Sequence, residues 1–148
     1  MRIIAAVIVW VNMALICPGW SATPNNCESY RLGAYENEAR AYNKIVDWVT
    51  FFRFYKLYSE CSMEGELSEA VSGSATHLFA SNWSLLAQFD AIARQNSGFR
   101  DYVYYHVNDS MTREEAVAIL TNARSHCPSG HEKTCGWLEN EIRKILVP

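Results

Sequence analysis

Between residues 34 and 146 the apolar residues recur at three- and four-residue intervals, and that period restricts the chain to packed helices more tightly than any other feature it has. In residues 34–59 the helix formers Glu36, Glu38, Ala39, Arg40 and Ala41 lead into Ile45, Val49, Phe52 and Tyr55, with Trp48, Phe51, Phe54 and Tyr58 widening the face. Residues 46–58 are also rich in β-branched and aromatic side chains, so a strand competes with a helix there. Leu67, Ala70, Val71, Ala75 and Leu78 make the next stripe. Asn82 reads as the N-cap for Leu85, Leu86, Phe89, Ile92 and Ala93, and Ser97-Gly98 as a break before Phe99, Tyr102, Val103 and His106. Thr112-Arg-Glu-Glu115 has the pattern of a capping box ahead of Ala116, Ile119, Leu120 and Ala123. A last helix carries Trp137 or Leu138, then Ile142, Ile145 and Leu146. The expectation is an all-α fold: one compact domain of about five or six helices over residues 22–148, stapled by disulfides.

The N-terminus predicts the compartment. Arg2 precedes an apolar run over residues 3–17 broken only by Asn12, then come Pro18, Gly19 and the small pair Ser21-Ala22. About 20 apolar residues are needed to cross a bilayer, and this run is shorter, so the order reads as a secretory signal peptide over residues 1–21. The competing readings are an uncleaved anchor and a lipid-bearing Cys17; Ile16 is bulky where a lipoprotein signal has a small residue. The protein is therefore expected in the periplasm or outside the cell, with no stable membrane span after cleavage.

Export makes the cysteines pair. Loss of Cys17 leaves Cys27, Cys61, Cys127 and Cys135, and two disulfides are the default in an oxidising compartment. Pro128, Ser129 and Gly130 can reverse the chain between Cys127 and Cys135. Cys27 with Cys61 meets an objection of reach. An unbroken helix from Gly33 to Glu60 would extend about 40 Å, which the few residues after Cys27 cannot span. Either that helix starts late, or it breaks near Ala41-Tyr42-Asn43, or the pairing is another. His126, Cys127, His131 and Cys135 also offer zinc-binding atoms, but the spacing fits no paired Cys-x-x-Cys knuckle, so no metal and no cofactor is expected.

Composition narrows the partners. Of 148 residues 49% are hydrophobic and 20% charged, too apolar for a disordered polymer, and 13 Lys+Arg against 16 Asp+Glu lack the basic excess of a nucleic-acid binder. Between Lys56 and Arg94 there is no Lys or Arg, while Glu60, Glu64, Glu66, Glu69 and Asp90 fall inside. A solvated helix face explains that run; a steering surface for a basic protein partner is the sharper reading, with Glu60, Glu64, Glu66 and Glu69 as contacts. The aromatic set Trp48, Phe51, Phe54 and Tyr58 is the fallback surface.

The chemical motifs are negative: there is no Gly-x-Ser-x-Gly elbow, no phosphate-cradling glycine loop and no His-Glu-x-x-His, so no enzyme is expected. His77 reads as a helix-surface or packed histidine, and the Glu66/Glu69 pair is no more specific than any acidic helix. Asn82-Trp-Ser84 and Asn108-Asp-Ser110 match a glycosylation acceptor, which capping and turn roles explain equally.

Two blocks carry a resemblance. Cys61-Ser-Met-Glu64-Gly65-Glu-Leu-Ser-Glu69-Ala-Val71 through Phe79 and Trp83, and Tyr102-Val-Tyr-Tyr-His106-Val-Asn-Asp109 through Cys127-Pro128 to Cys135, resemble a group of small uncharacterised exported proteobacterial proteins over residues 45–138. That group implies no activity. In overall design, small, exported, helical and disulfide-bonded, the chain also looks like the periplasmic immunity proteins that neutralise type VI peptidoglycan amidase effectors. The function expected from this is a protein-binding module, most concretely an inhibitor or immunity protein. A structural or accessory envelope protein is the alternative.

Overall fold

Asp47 fixes where the first helix of the described residues begins. The structure, a computed structural model, describes residues 45–61, 66–108 and 110–147, without the side chains of Glu66 and Leu67. The Asp47 carboxylate accepts the Thr50 N–H at 2.7 Å and the Thr50 hydroxyl accepts the Asp47 N–H at 3.2 Å, a reciprocal box that opens α1 (Trp48–Tyr58). The Thr50 N–H, and after it the Thr50 hydroxyl donating to the same carboxylate at 2.8 Å, hold the Asp47 carboxyl below its usual range. The contest between strand and helix over residues 46–58 is thus decided for helix. Residues 45–47 are not helical, so no unbroken helix runs from Gly33 to Glu60; residues 33–44 lie outside the described residues. Cys27, and with it the 27–61 bridge, lies outside the described residues, as do the signal peptide, the cleavage position and Cys17.

Five further helices follow: α2 (Glu66–Ser81), α3 (Leu86–Gln95), α4 (Ser97–Tyr105), α5 (Arg113–Ser125) and α6 (Glu132–Leu146). A 3-10 turn over Trp83–Leu85 joins α2 to α3, and no strand occurs among the described residues. Two boundary readings are corrected. Asn82 makes no side-chain capping bond; its carbonyl accepts the Leu85 N–H and the 3-10 turn runs straight into α3, so Leu85 occupies the N-cap. The break between α3 and α4 falls on Asn96, whose amide donates to the Ile92 carbonyl at 3.0 Å, and Ser97-Gly98 form the first turn of α4. Gly98 serves close approach instead, since a Cβ there would lie 2.7 Å from the Tyr55 hydroxyl. The capping box at Thr112 and Glu115 forms as read, with the Glu115 carboxylate accepting the Thr112 N–H at 3.0 Å.

The interior is aromatic on one side and aliphatic on the other. Trp48 and Phe51 are fully buried; the Trp48 ring lies 4.6 Å from Phe79 of α2 and 4.8 Å from Phe89 of α3, and Phe51 meets Phe99 of α4 edge-on. Truncating any one of these to alanine costs about 3–5 kcal/mol. This seam is not the one expected: Trp48, Phe51 and Phe54 are core, Val49 is exposed and Phe52 and Tyr55 are half-buried. The fallback surface of Trp48, Phe51, Phe54 and Tyr58 is therefore no surface, with only Tyr58 partly accessible. On the aliphatic side α5 packs against both α2 and α6, burying Ile119, Leu138 and Ile142.

The α5–α6 link is closed covalently. Cys127 and Cys135 form a disulfide with their Cα atoms 6.1 Å apart, across a turn in which Gly130 adopts φ 84°. That left-handed value is the reason a glycine stands there. Closing so short a loop contributes about 2–3 kcal/mol on a chain-entropy argument. Among the described residues no helix is long and apolar enough to cross a membrane.

Candidate functional site

Three helix faces converge on a cleft of about 530 Å³. On α3, Asp90 and Arg94 stand one turn apart; on α4, Arg100, Asp101 and Tyr104 share a face by the same spacing; on α6, Lys133, Thr134 and Trp137 do so over its first turns. Three helices are needed to make this wall: α3 and α4 adjoin in sequence, and α6 comes from a distant stretch of the chain.

Asp90 is the centre of the construction. Helical spacing places it on the packed side of α3 beside Phe89 and Leu86, where it is nearly buried. A carboxylate removed from water needs donors, and α6 provides them: the Thr134 hydroxyl donates to Oδ1 at 2.6 Å, and Nδ1 of His131 lies 2.5 Å from Oδ2. Both bonds bridge more than 40 positions of sequence. His131 sits at the head of α6 within the Cys127–Cys135 loop, so the disulfide and the Asp90 contacts hold the same turn from two directions.

The aromatic wall is Tyr104 on Trp137, stacked with ring centroids 3.5 Å apart and planes 5° from parallel. Burial pushes the Tyr104 phenol above its ordinary range, with the neighbouring Thr134 hydroxyl acting in the opposite direction. The charges at the mouth are arranged unequally. Asp101 Oδ1 takes both Nε and a terminal nitrogen of Arg100, at 2.9 and 2.8 Å. Among the described residues Arg94 bonds through its Nε alone, to the Asp90 carbonyl at 3.2 Å.

His131 is hydrogen-bonded to Asp90 behind the lining residues, and the Thr134 hydroxyl donates to the same carboxylate. A second polar pair has the composition of a reactive one. Ser72 Oγ lies 2.9 Å from Nδ1 of His106 and accepts from the Asn108 amide at 3.3 Å. Both Ser72 and His106 are 2% exposed, so substrate has no access to them, and burial lowers the His106 pKa to about 4. The network is a means of burying polar groups, the Ser72 hydroxyl and the His106 imidazole being each other's hydrogen-bond partners.

The residues singled out from sequence are dispersed. Cys127 and Cys135 are bonded to each other; His131 turns to Asp90 and His126 is exposed, so the four zinc-type side chains do not converge. Glu60, after α1, and Glu69, on α2, are exposed; Glu64 and the Glu66 side chain lie outside the description. Asp90 leaves the proposed steering surface, because a carboxylate engaged by Thr134 and His131 is not a surface charge. Asn108 takes the turn role read for it, its side-chain carbonyl accepting the Ser110 N–H at 3.0 Å, and His77 is exposed on α2. Sequence reasoning missed Arg94, Arg100, Tyr104, Thr134 and Trp137 as a group. The one available signal was Asp90 itself, an acid in the middle of the apolar stripe of Leu86, Phe89 and Ala93. No family model, curated protein or solved structure matches the chain, so the residues of this cleft are the guide to what it does.

Proposed function

We propose that the chain is an exported protein-binding module, most concretely an inhibitor or immunity protein that occupies a secreted cell-wall-targeting effector, and that the cleft between α3, α4 and α6 receives a side chain of that partner. The observation that carries this reading is the composition of the cleft: a Trp–Tyr stack beside Arg94, Arg100 and Lys133 in a concave, rigidly braced site. Trp, Tyr and Arg are the residues in which interface energy concentrates, and they act from pockets of this kind. The Cys127–Cys135 disulfide supports export, since such bonds persist in oxidising compartments.

The test is a capture experiment with the tagged mature protein and its Trp137→Ala variant, using envelope extract and the product of any neighbouring lytic-effector gene. Trp137 is half-buried at the rim, so the variant is expected to fold while its affinity falls at least about tenfold. Equal capture by both proteins removes the cleft from the interface, and a wild-type protein that neither captures an effector nor blocks its lysis leaves the accessory-envelope role as the reading.

Glu60 and Glu69 lie off the cleft, at the end of α1 and the start of α2, and we assign them to long-range steering of a basic partner surface. The double substitution Glu60→Lys, Glu69→Lys is expected to slow association about tenfold at low salt and to leave dissociation unchanged. Association rates that match wild type at low salt place both residues on an ordinary solvated face.

A further inference from the structure

We propose that the cleft is a carboxylate site: it takes an acidic group borne on an aromatic or apolar body, which on the reading above is an acidic side chain of the partner with its apolar neighbours. The two acids of the cleft are already engaged by the protein's own donors. Asp90 is held on both oxygens by Thr134 and His131, and Asp101 takes two nitrogens of Arg100. Two cations of the wall, Arg94 and Lys133, form no ion pair among the described residues. The Nε bond of Arg94 to the Asp90 carbonyl anchors its guanidinium and leaves the terminal nitrogens for a two-point contact with a carboxylate. Lys133 and Thr134 belong to the first turn of the 15-residue α6, where the helix dipole adds to the preference for negative charge.

The remaining wall decides between anions. Trp137 stacked on Tyr104 is a flat apolar surface in the same cleft, which inorganic phosphate or sulfate would leave uncovered. A ligand that uses both features joins a planar apolar group to a charged end. A cation is disfavoured, because the uncommitted charges are positive and both carboxylates are internally bonded.

The probe is 3-phenylpropionate, followed through the Trp137 indole N–H resonance of the mature protein, which a Trp137→Phe spectrum identifies. The comparison ligands are 3-phenylpropanamide, equal in shape but neutral, and inorganic phosphate. The acid is expected to saturate with a Kd of about 1–10 mM, the ordinary affinity of so small a ligand. Arg94→Gln and Lys133→Gln are each expected to weaken it about fivefold, with the amide and phosphate failing to saturate. Both positions are exposed, so the variants retain the fold, which an unchanged amide spectrum elsewhere verifies. No movement of the indole resonance up to tens of millimolar, equal binding of the amide, or variants with wild-type affinity each overturn the proposal. Saturation by the acid together with failed capture of any protein keeps the carboxylate site and assigns it to a small-molecule acid; capture that depends on Trp137 with no acid binding keeps the protein-binding reading and discards the carboxylate.

Discussion

Asp90→Ala is expected to lower the unfolding free energy by about 3–4 kcal/mol, measured by urea denaturation near neutral pH, and to lower the melting temperature by more than about 10 °C. The substitution removes the acceptor for two donors, the Thr134 hydroxyl and Nδ1 of His131, that are otherwise turned into the protein. Unmade buried hydrogen bonds cost more than made ones contribute, and breaking a desolvated acid–base contact by deleting one partner falls at the upper end of single-residue effects. Asp90→Asn keeps the shape and one acceptor oxygen, so about half of the loss is expected. The loop between Cys127 and Cys135 should show the damage first, as faster amide exchange at Gly130 and His131, because it loses its contact with α3 while keeping its disulfide. A loss below about 1 kcal/mol in Asp90→Ala would mean that the cleft is not braced from beneath, and the rigid-site argument for binding would fall with it.

Stability is expected to drop as the solution is acidified from pH 7, by about 2 kcal/mol at pH 5, through one residue. His106 is 2% exposed, and burial alone lowers its pKa from the ordinary 6.5 to about 4. The sign follows from where the proton goes. Below pH 6.5 the unfolded chain binds it and the folded chain does not, so the unfolded state gains until the pH reaches the folded value near 4. Over the whole window the loss approaches about 3 kcal/mol. The measurement is the urea midpoint at pH 7 and at pH 5 for wild type and for the double variant Ser72→Ala, His106→Phe, which removes the imidazole without orphaning the hydroxyl that bonds it. The variant should lose most of the difference between the two pH values. An identical pH dependence in both proteins would place the titrating group elsewhere.

How far the sequence carried can be followed residue by residue. The helix over residues 48–58 was legible as an apolar period, but the period alone fitted a seam through Val49 and Phe52 as well as the real one through Trp48, Phe51 and Phe54. Neighbouring stripes of a largely aromatic helix differ by a modest rotation, and what selects one is the cavity between Phe79 and Phe89 that accepts the indole. Gly98 is similar: as a punctuation mark it suggested a break, whereas its place is set by the Tyr55 ring that passes over it.

Features written in neighbouring residues were determined by the sequence itself. The capping box at Thr112 and Glu115, the reversal at Gly130 and the Cys127–Cys135 bond all need only groups within eight positions of one another, so local geometry suffices to predict them. The cleft could not be read this way. Its bonds join Asp90 to His131 and Thr134, and its stack joins Tyr104 to Trp137, pairs that depend on how far α3, α4 and α6 are rotated and offset against one another. That offset is fixed by the summed packing of side chains across the whole core, a property of the folded ensemble of contacts that no single stretch of chain contains.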